Sequence, residues 1–355
     1  MSGIRETIIT AFPGAKEVSA WTLTGNKNLS ITVLTFGGIV QKILVPDKEG
    51  RLVDVVLGFK NPADYSGPHP FFGATAGRIA GRVTRGDLTI GETKYPLPIN
   101  DPPHHLHGGI ASIDRQVWQA TPLSREDGAP SLKLTLTSED GENGYPGKIE
   151  LSVIYTITND NCFVFETEAR SDRPTPVSLT HHSYFNLAGE GAAPTDDHEL
   201  QIPGDSAFEA DEWMGLTGEC HKVEGRPNDA RSARPVGEFR KGLWKEHGDL
   251  YWLGESKRVR PAARLRDPLS GRILEVATDC TCVQFYSGIG LDSSLIGKSG
   301  FPYPSGAGVC LECEGYPNAF DEDKRFGSIM VEPDLPQRTR TEYRFTNQST
   351  SLISS

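Results

Sequence analysis

The chain has 355 residues, 37% of them hydrophobic and 23% charged, with a net charge of -11 at pH 7. That is enough apolar sequence for a sizeable core, and the acidic balance, with no Lys/Arg-rich run, excludes electrostatic capture of nucleic acid or of an anionic membrane. The expected ligand is a neutral small molecule. The opening residues, Met1 to Thr7, lack the pattern of a secretory leader, and no later run is long enough to cross a bilayer, so a cytoplasmic protein without a membrane partner is expected.

Period-two alternation, the mark of half-buried strands, runs through the chain in order. It begins at Leu29 to Phe36 and continues through Gly37-Gly38 into Ile39 to Val45. It returns at Leu132 to Thr137 and at Ile149 to Ile157, where Ile149, Leu151, Val153, Tyr155 and Ile157 share a face; Asn143-Gly144-Tyr145-Pro146-Gly147 between them has the residues of a tight connection. Further strands are predicted over Cys162 to Ala169, Val177 to Tyr184, Arg272 to Ala277, Cys282 to Ser287, Val309 to Glu314 and Thr341 to Phe345. Gly225 to Lys241 is polar and reads as an excursion loop. Helical periodicity is scarce, and 38 glycines and 25 prolines are spread throughout. The composition therefore predicts an all-β protein, one large antiparallel sandwich or barrel spanning 1–355. The six cysteines are sparse for this length and read as reduced thiols; Cys280-Thr281-Cys282 and Cys310-Leu311-Glu312-Cys313 have half the look of a zinc ribbon, but they sit in apolar strand sequence.

Four segments place ionisable residues in apolar strand contexts. In Gly77-Arg78-Ile79-Ala80-Gly81-Arg82-Val83, one arginine can bind a ligand while the other satisfies core carbonyls; the lysine and hydroxyl of a phosphate loop are missing. His104-His105-Leu106-His107-Gly108-Gly109 is the densest histidine cluster, with His105 and His107 expected on one side; it suits either a metal or a donor to a sugar hydroxyl. In Thr180-His181-His182-Ser183-Tyr184, alternation gives His182 and Tyr184 one face and His181 the other. In the fourth segment Glu312 lies between Leu311 and Cys313 and should be partly buried, which raises a carboxyl toward the range of a general base. Glu314 shares its face, the arrangement of a paired-carboxylate site.

In this order, and with Val45-Pro46-Asp47, Asp54-Val55-Val56-Leu57-Gly58-Phe59, Phe72-Gly73-Ala74-Thr75, His182-Ser183-Tyr184-Phe185-Asn186-Leu187 and Val283-Gln284-Phe285-Tyr286, the segments resemble the aldose 1-epimerase (galactose mutarotase) family from about Leu29 to Phe345. The resemblance implies a single β-supersandwich whose open cleft binds a monosaccharide, with His182 as general acid and Glu312 as general base. Arg82, His107 and Gln284 would contact the sugar, Tyr184 would lie beside it, and an acidic contact maps to Asp249. The sequence departs from the family at Gly81, where Asn is common, at Glu314, where Gln is common, and at Asn318, where Asp is common.

The implied reaction opens the hemiacetal, rotates the aldehyde and recloses it. Glu312 as carboxylate would take the C1 hydroxyl proton and His182 as imidazolium would protonate the ring oxygen, with no cofactor and no metal. Two other readings compete: a glycosidase using Glu312 with Glu314 or Asp249, and a silent sugar-binding or regulatory domain on the same fold. The assembly expected is a monomer or homodimer.

Overall fold

The computed structural model describes residues 3–14, 17–47, 49–320 and 324–347; Met1, Ser2 and the expected domain limits at 1 and 355 lie outside them. The protein is all-β. Three antiparallel sheets carry most of the chain, and the one α-helix among the described residues is the single turn Val236–Arg240. That turn lies within the expected excursion loop and is held down by buried Val236 and Phe239.

The first sheet is a five-stranded meander of Gly3–Ile9, Val18–Thr24, Ser30–Leu34, Val40–Pro46 and Leu52–Asp54. The second has nine strands, beginning with Gln119–Leu123, Ser131–Ser138, Ile149–Ile157 and Cys162–Ser171. Gln337–Thr346 then enters at the middle, pairing with Cys162–Ser171 on one side and Ile273–Thr278 on the other, so the end of the chain ties its two halves together. The third sheet has six strands, in the order Tyr184–Phe185, Val309–Glu314, Cys282–Tyr286, Leu250–Trp252, Ser206–Ala210 and Leu216–Lys222.

One apolar cluster is shared by all three sheets, with Ile31 and Val33 from the first, Tyr155, Phe163 and Tyr343 from the second, and Val283, Phe285 and Leu311 from the third. Each such side chain, fully buried, contributes about 1.5–3 kcal/mol. Only one face of the six-stranded sheet is spent on this core, and its other face is free to carry a site.

The expected strands are present with ends shifted by a few residues, except that Val177 to Leu179 stays outside any strand and the ladder resumes at Thr180–His182 and Tyr184–Phe185. Strands not anticipated include Gly3–Ile9, Ser206–Ala210 and Arg260–Arg266. The last carries three arginines, a proline and no β-branched residue, so propensity hides it and pairing with Ile273–Thr278 makes it a strand. All six cysteines are unpaired, five of them buried.

Candidate active site

The floor is the strand Val309–Glu314, buried along its whole length. Alternation sends Val309, Leu311 and Cys313 into the shared core, while Glu312 and Glu314 line a cleft of about 190 Å³ on the opposite face. The antiparallel register lays out transverse rows. Tyr184 pairs with Cys310 and Cys310 with Tyr286; Glu312 pairs with Gln284 and Gln284 with Leu250. Tyr184, Tyr286, Gln284 and Leu250 all line the same cleft.

His182 arrives on Thr180–His182, which pairs with Ala74–Ala76. Its Nε2 lies 3.4 Å from Glu312 Oε2, and its Nδ1 lies 3.6 Å from Cys310 Sγ. Tyr184 and Phe71 each lie nearly parallel to the ring, at 5.2 and 5.8 Å. The contact to Glu312 is longer than a good N–H···O bond, and Oε2 has no hydrogen-bond partner, so imidazole and carboxyl face each other across a gap that a ligand hydroxyl can close. The neighbouring His181 goes to the other side, among Phe163, Phe165 and Tyr343, as alternation requires.

Arg82 and His107 are brought together by a two-rung ladder in which Arg82 opposes Leu106 and Val83 opposes His105. Asn100 fixes it, accepting from Leu106 N and donating to Leu106 O. The Gly81 N–H donates to His107 Nδ1 at 3.1 Å, which places the proton of the neutral ring on Nε2 and makes it a donor. Arg82 lines the cleft with its Nε held by Asp101 Oδ2 at 2.7 Å. At Gly108, φ is +83°, and a Cβ there would stand 1.9 Å from Gly77 O, so the wall can close only with glycine.

The two arginines of the glycine-rich segment have different work. Arg78 is 2% exposed and donates to Ser138 Oγ and to the carbonyls of Glu139, Pro146 and Gly147, holding the connection between two strands. His105 and His107 do not project together. His105 is buried between Pro98 O and Tyr145 Oη, because the strand stops at Leu106 and His107 adopts φ +47°. His104 accepts from Arg85 N and lies 3.6 Å from Asp211.

Asp249 is not brought to this cleft. It precedes Leu250 on a strand whose Leu250 lines the cleft, so alternation turns its carboxylate to the reverse face of the sheet. There it accepts from Asn228 Nδ2 at 2.8 Å in an adjoining cavity of about 530 Å³ that shares Met214 with the cleft. His247 lines the cleft instead, packed at 4.6 Å against Tyr286. Phe71, Met214 and Tyr286 also line the cleft, and like His247 they are not among the residues expected from sequence. Tyr286 was reachable, since alternation places it with Gln284; Phe71 and Met214 have φ of +58° and +69°, and no strand pattern reports such positions.

Burial sets the charge of the site. It raises the Glu312 carboxyl to about 8, against the lowering pull of Arg82, and it lowers His182 to about 4. Burial also raises Glu314 well above the usual range, with Glu312 adding to the shift, and lowers His107 well below its own. The free cleft at neutral pH therefore keeps one proton on the pair, on Glu312, with His182 neutral. The expected carboxylate and imidazolium are the same pair with that proton moved across the gap.

His107, His182 and Glu312 have potential ligand atoms within 4.8 Å of one another, which is close enough for a metal. The Gly81 N–H argues against it, since it leaves His107 Nε2 protonated and without a lone pair to give.

A family model described as aldose 1-epimerase matches residues 19–344. The galactose mutarotase of Mus musculus is 36% identical over 349 residues, 98% of this chain and 99% of that protein. That of Sus scrofa is 37% identical over 94% of this chain and 95% of its own, and the aldose 1-epimerase of Escherichia coli K12 is 29% identical over 94% and 96%. Among solved structures, the galactose 1-epimerase of Lactobacillus acidophilus NCFM superposes with a TM-score of 0.84 at 26% identity, covering 98% of this chain and 99% of that one.

Proposed function

The chain belongs to the aldose 1-epimerase family and interconverts the α and β anomers of free aldoses; on that premise we propose how its cleft performs the reaction. The observation that carries the reading is the His182–Glu312 pair, buried, 3.4 Å apart and open to the cleft.

The sugar enters with its anomeric carbon between the two. Glu312 takes the proton of the C1 hydroxyl as His182 delivers one to the ring oxygen, the C1–O5 bond breaks, and rotation about C1–C2 presents the other face of the aldehyde. Closure returns both protons by the reverse route. The pair must hold one proton at the start. The free cleft stores it on Glu312, and hydrogen bonds from the C1 hydroxyl and the Arg82 charge favour its transfer to His182 as the sugar binds. His107 Nε2–H and Arg82 hold hydroxyls and stabilise charge on the opening oxygen, Gln284 orients the ring, and Tyr184 and Phe71 keep the His182 ring in place. Nothing in this route needs a redox change or a cofactor.

A glycosidase needs two carboxyls flanking the anomeric centre. Glu312 and Glu314 project from one strand to one side, Asp249 faces away, and the group opposite Glu312 is His182. The whole chain acts as one catalytic domain. No helix among the described residues is long and apolar enough to cross a membrane, and the unpaired thiols suit the reducing cytoplasm, where we expect a monomer or homodimer.

Polarimetry on freshly dissolved α-D-glucose and α-D-galactose tests the reading. The protein should accelerate the approach to equilibrium rotation, and a protein that binds sugar but leaves the spontaneous rate unchanged would contradict it.

A further inference from the structure

Beyond the acid and base, the cleft carries a second carboxyl that the reaction above does not use. Glu314 is 1% exposed, lines the cleft two residues beyond Glu312, and its Oε2 is buried without a hydrogen-bond partner. A buried acceptor in that condition costs about 1–3 kcal/mol unless something completes it.

Its position is built, because Gly81 leaves room for it. A Cβ on Gly81 would stand 2.9 Å from Glu314 Oε1 and 2.7 Å from Pro317 Cγ, so the carboxyl fills the space a side chain at 81 would occupy. The two departures from the family pattern are thus one feature, a carboxyl placed where residue 81 has withdrawn.

The ionisable groups facing the cleft are unbalanced. Glu312 and Glu314 supply two carboxyls, while Arg82 is the one permanent cation among the described lining residues and already serves Asp101 at 2.7 Å. Burial lowers His107, His182 and His247 and raises both carboxyls, so no second cation in the free cleft is available to hold Glu314 as a carboxylate. A substrate that brings a positive charge completes this site.

We propose that Glu314 is a specificity-determining residue that receives the protonated amine of a 2-amino-2-deoxy aldose, making amino sugars a substrate class of this cleft. The inference rests on the mutarotase reading, since it places C1 at Glu312. From there the next position on the same strand face is about 7 Å along, a stride that the carbon-2 substituent and the Glu314 side chain can span together.

The test is polarimetry of α-D-glucose, α-D-galactose and their 2-amino-2-deoxy counterparts, with wild type and Glu314→Gln, alongside calorimetric binding of the same sugars. Glu314→Gln keeps the shape of the side chain and removes its capacity to ionise against an ammonium. Wild type should show kcat/KM about tenfold higher for each amino aldose than for its parent, with a matching ratio of Kd values, and Glu314→Gln should erase that ratio. An absent preference in wild type, or one that persists in Glu314→Gln, overturns the proposal while leaving the mutarotase reading intact. Failure to accelerate any of the four sugars overturns the mutarotase reading and the proposal with it.

Discussion

The strand Val309–Glu314 and the segment from Gly77 to Gly109 both line the cleft, one as a regular ladder and the other as a succession of turns. On the ladder, position alone decides exposure to the cleft: Glu312 and Glu314 face it, and Val309, Leu311 and Cys313 face the core. In the segment, Arg82 and His107 meet through two rungs of sheet, an asparagine clamp and a glycine that tolerates no Cβ. A ladder holds reacting groups at fixed separation, and the turns bring in donors from residues 25 apart in sequence.

The largest effects should come from the reacting pair. His182→Ala and Glu312→Ala should each lower kcat by about 10²–10⁴, and the double variant should fall little further, because the two act as a unit. Polarimetric rates check this.

Next is the wall. Gly108→Ala drives a Cβ into Gly77 O and should cost about 3 kcal/mol or more, read as a lower Tm together with a higher KM if the variant folds. No comparable sensitivity is expected at Asn318, whose amide bonds the Thr84 backbone beyond the wall.

A smaller effect separates charge from shape on the floor. The Glu312 carboxyl has a folded value near 8 against an ordinary value of 4.5, so the fold binds its proton more tightly than the unfolded chain does. Stability from this group is complete below about pH 4.5 and is lost as pH rises through 8. Glu312→Gln removes that loss, and its Tm should fall less than the wild-type Tm between pH 5 and 8. Smallest of all is Asp249→Asn. With its carboxylate turned from the cleft and bonded to Asn228, kcat/KM should change less than about threefold.

What could be read from sequence follows the same division. Alternation located Glu312, Glu314, His182 and Tyr184 on their proper faces because each lies in or beside a true strand. It failed at His105, where the strand ends after two residues; Asp249 came from the family resemblance, and the parity of Leu250 turns it from the cleft, while His247 enters from outside the strand, beyond Gly248 at φ +140°. Phe71 and Met214 enter the cleft from left-handed backbone, which side-chain pattern does not encode. The charge state of the pair was also hidden, since it depends on burial by sheets distant in sequence.

The most direct measurement of the central claim, a single proton shared by His182 and Glu312, is the pH dependence of kcat/KM for mutarotation, which reports the free enzyme. Two limbs are expected, one near 4 where the pair gains a second proton and one near 8 where it loses its last, with the upper limb absent in Glu312→Gln. A wild-type profile that stays flat through pH 9, or a Glu312→Gln profile that keeps the upper limb, would contradict the account.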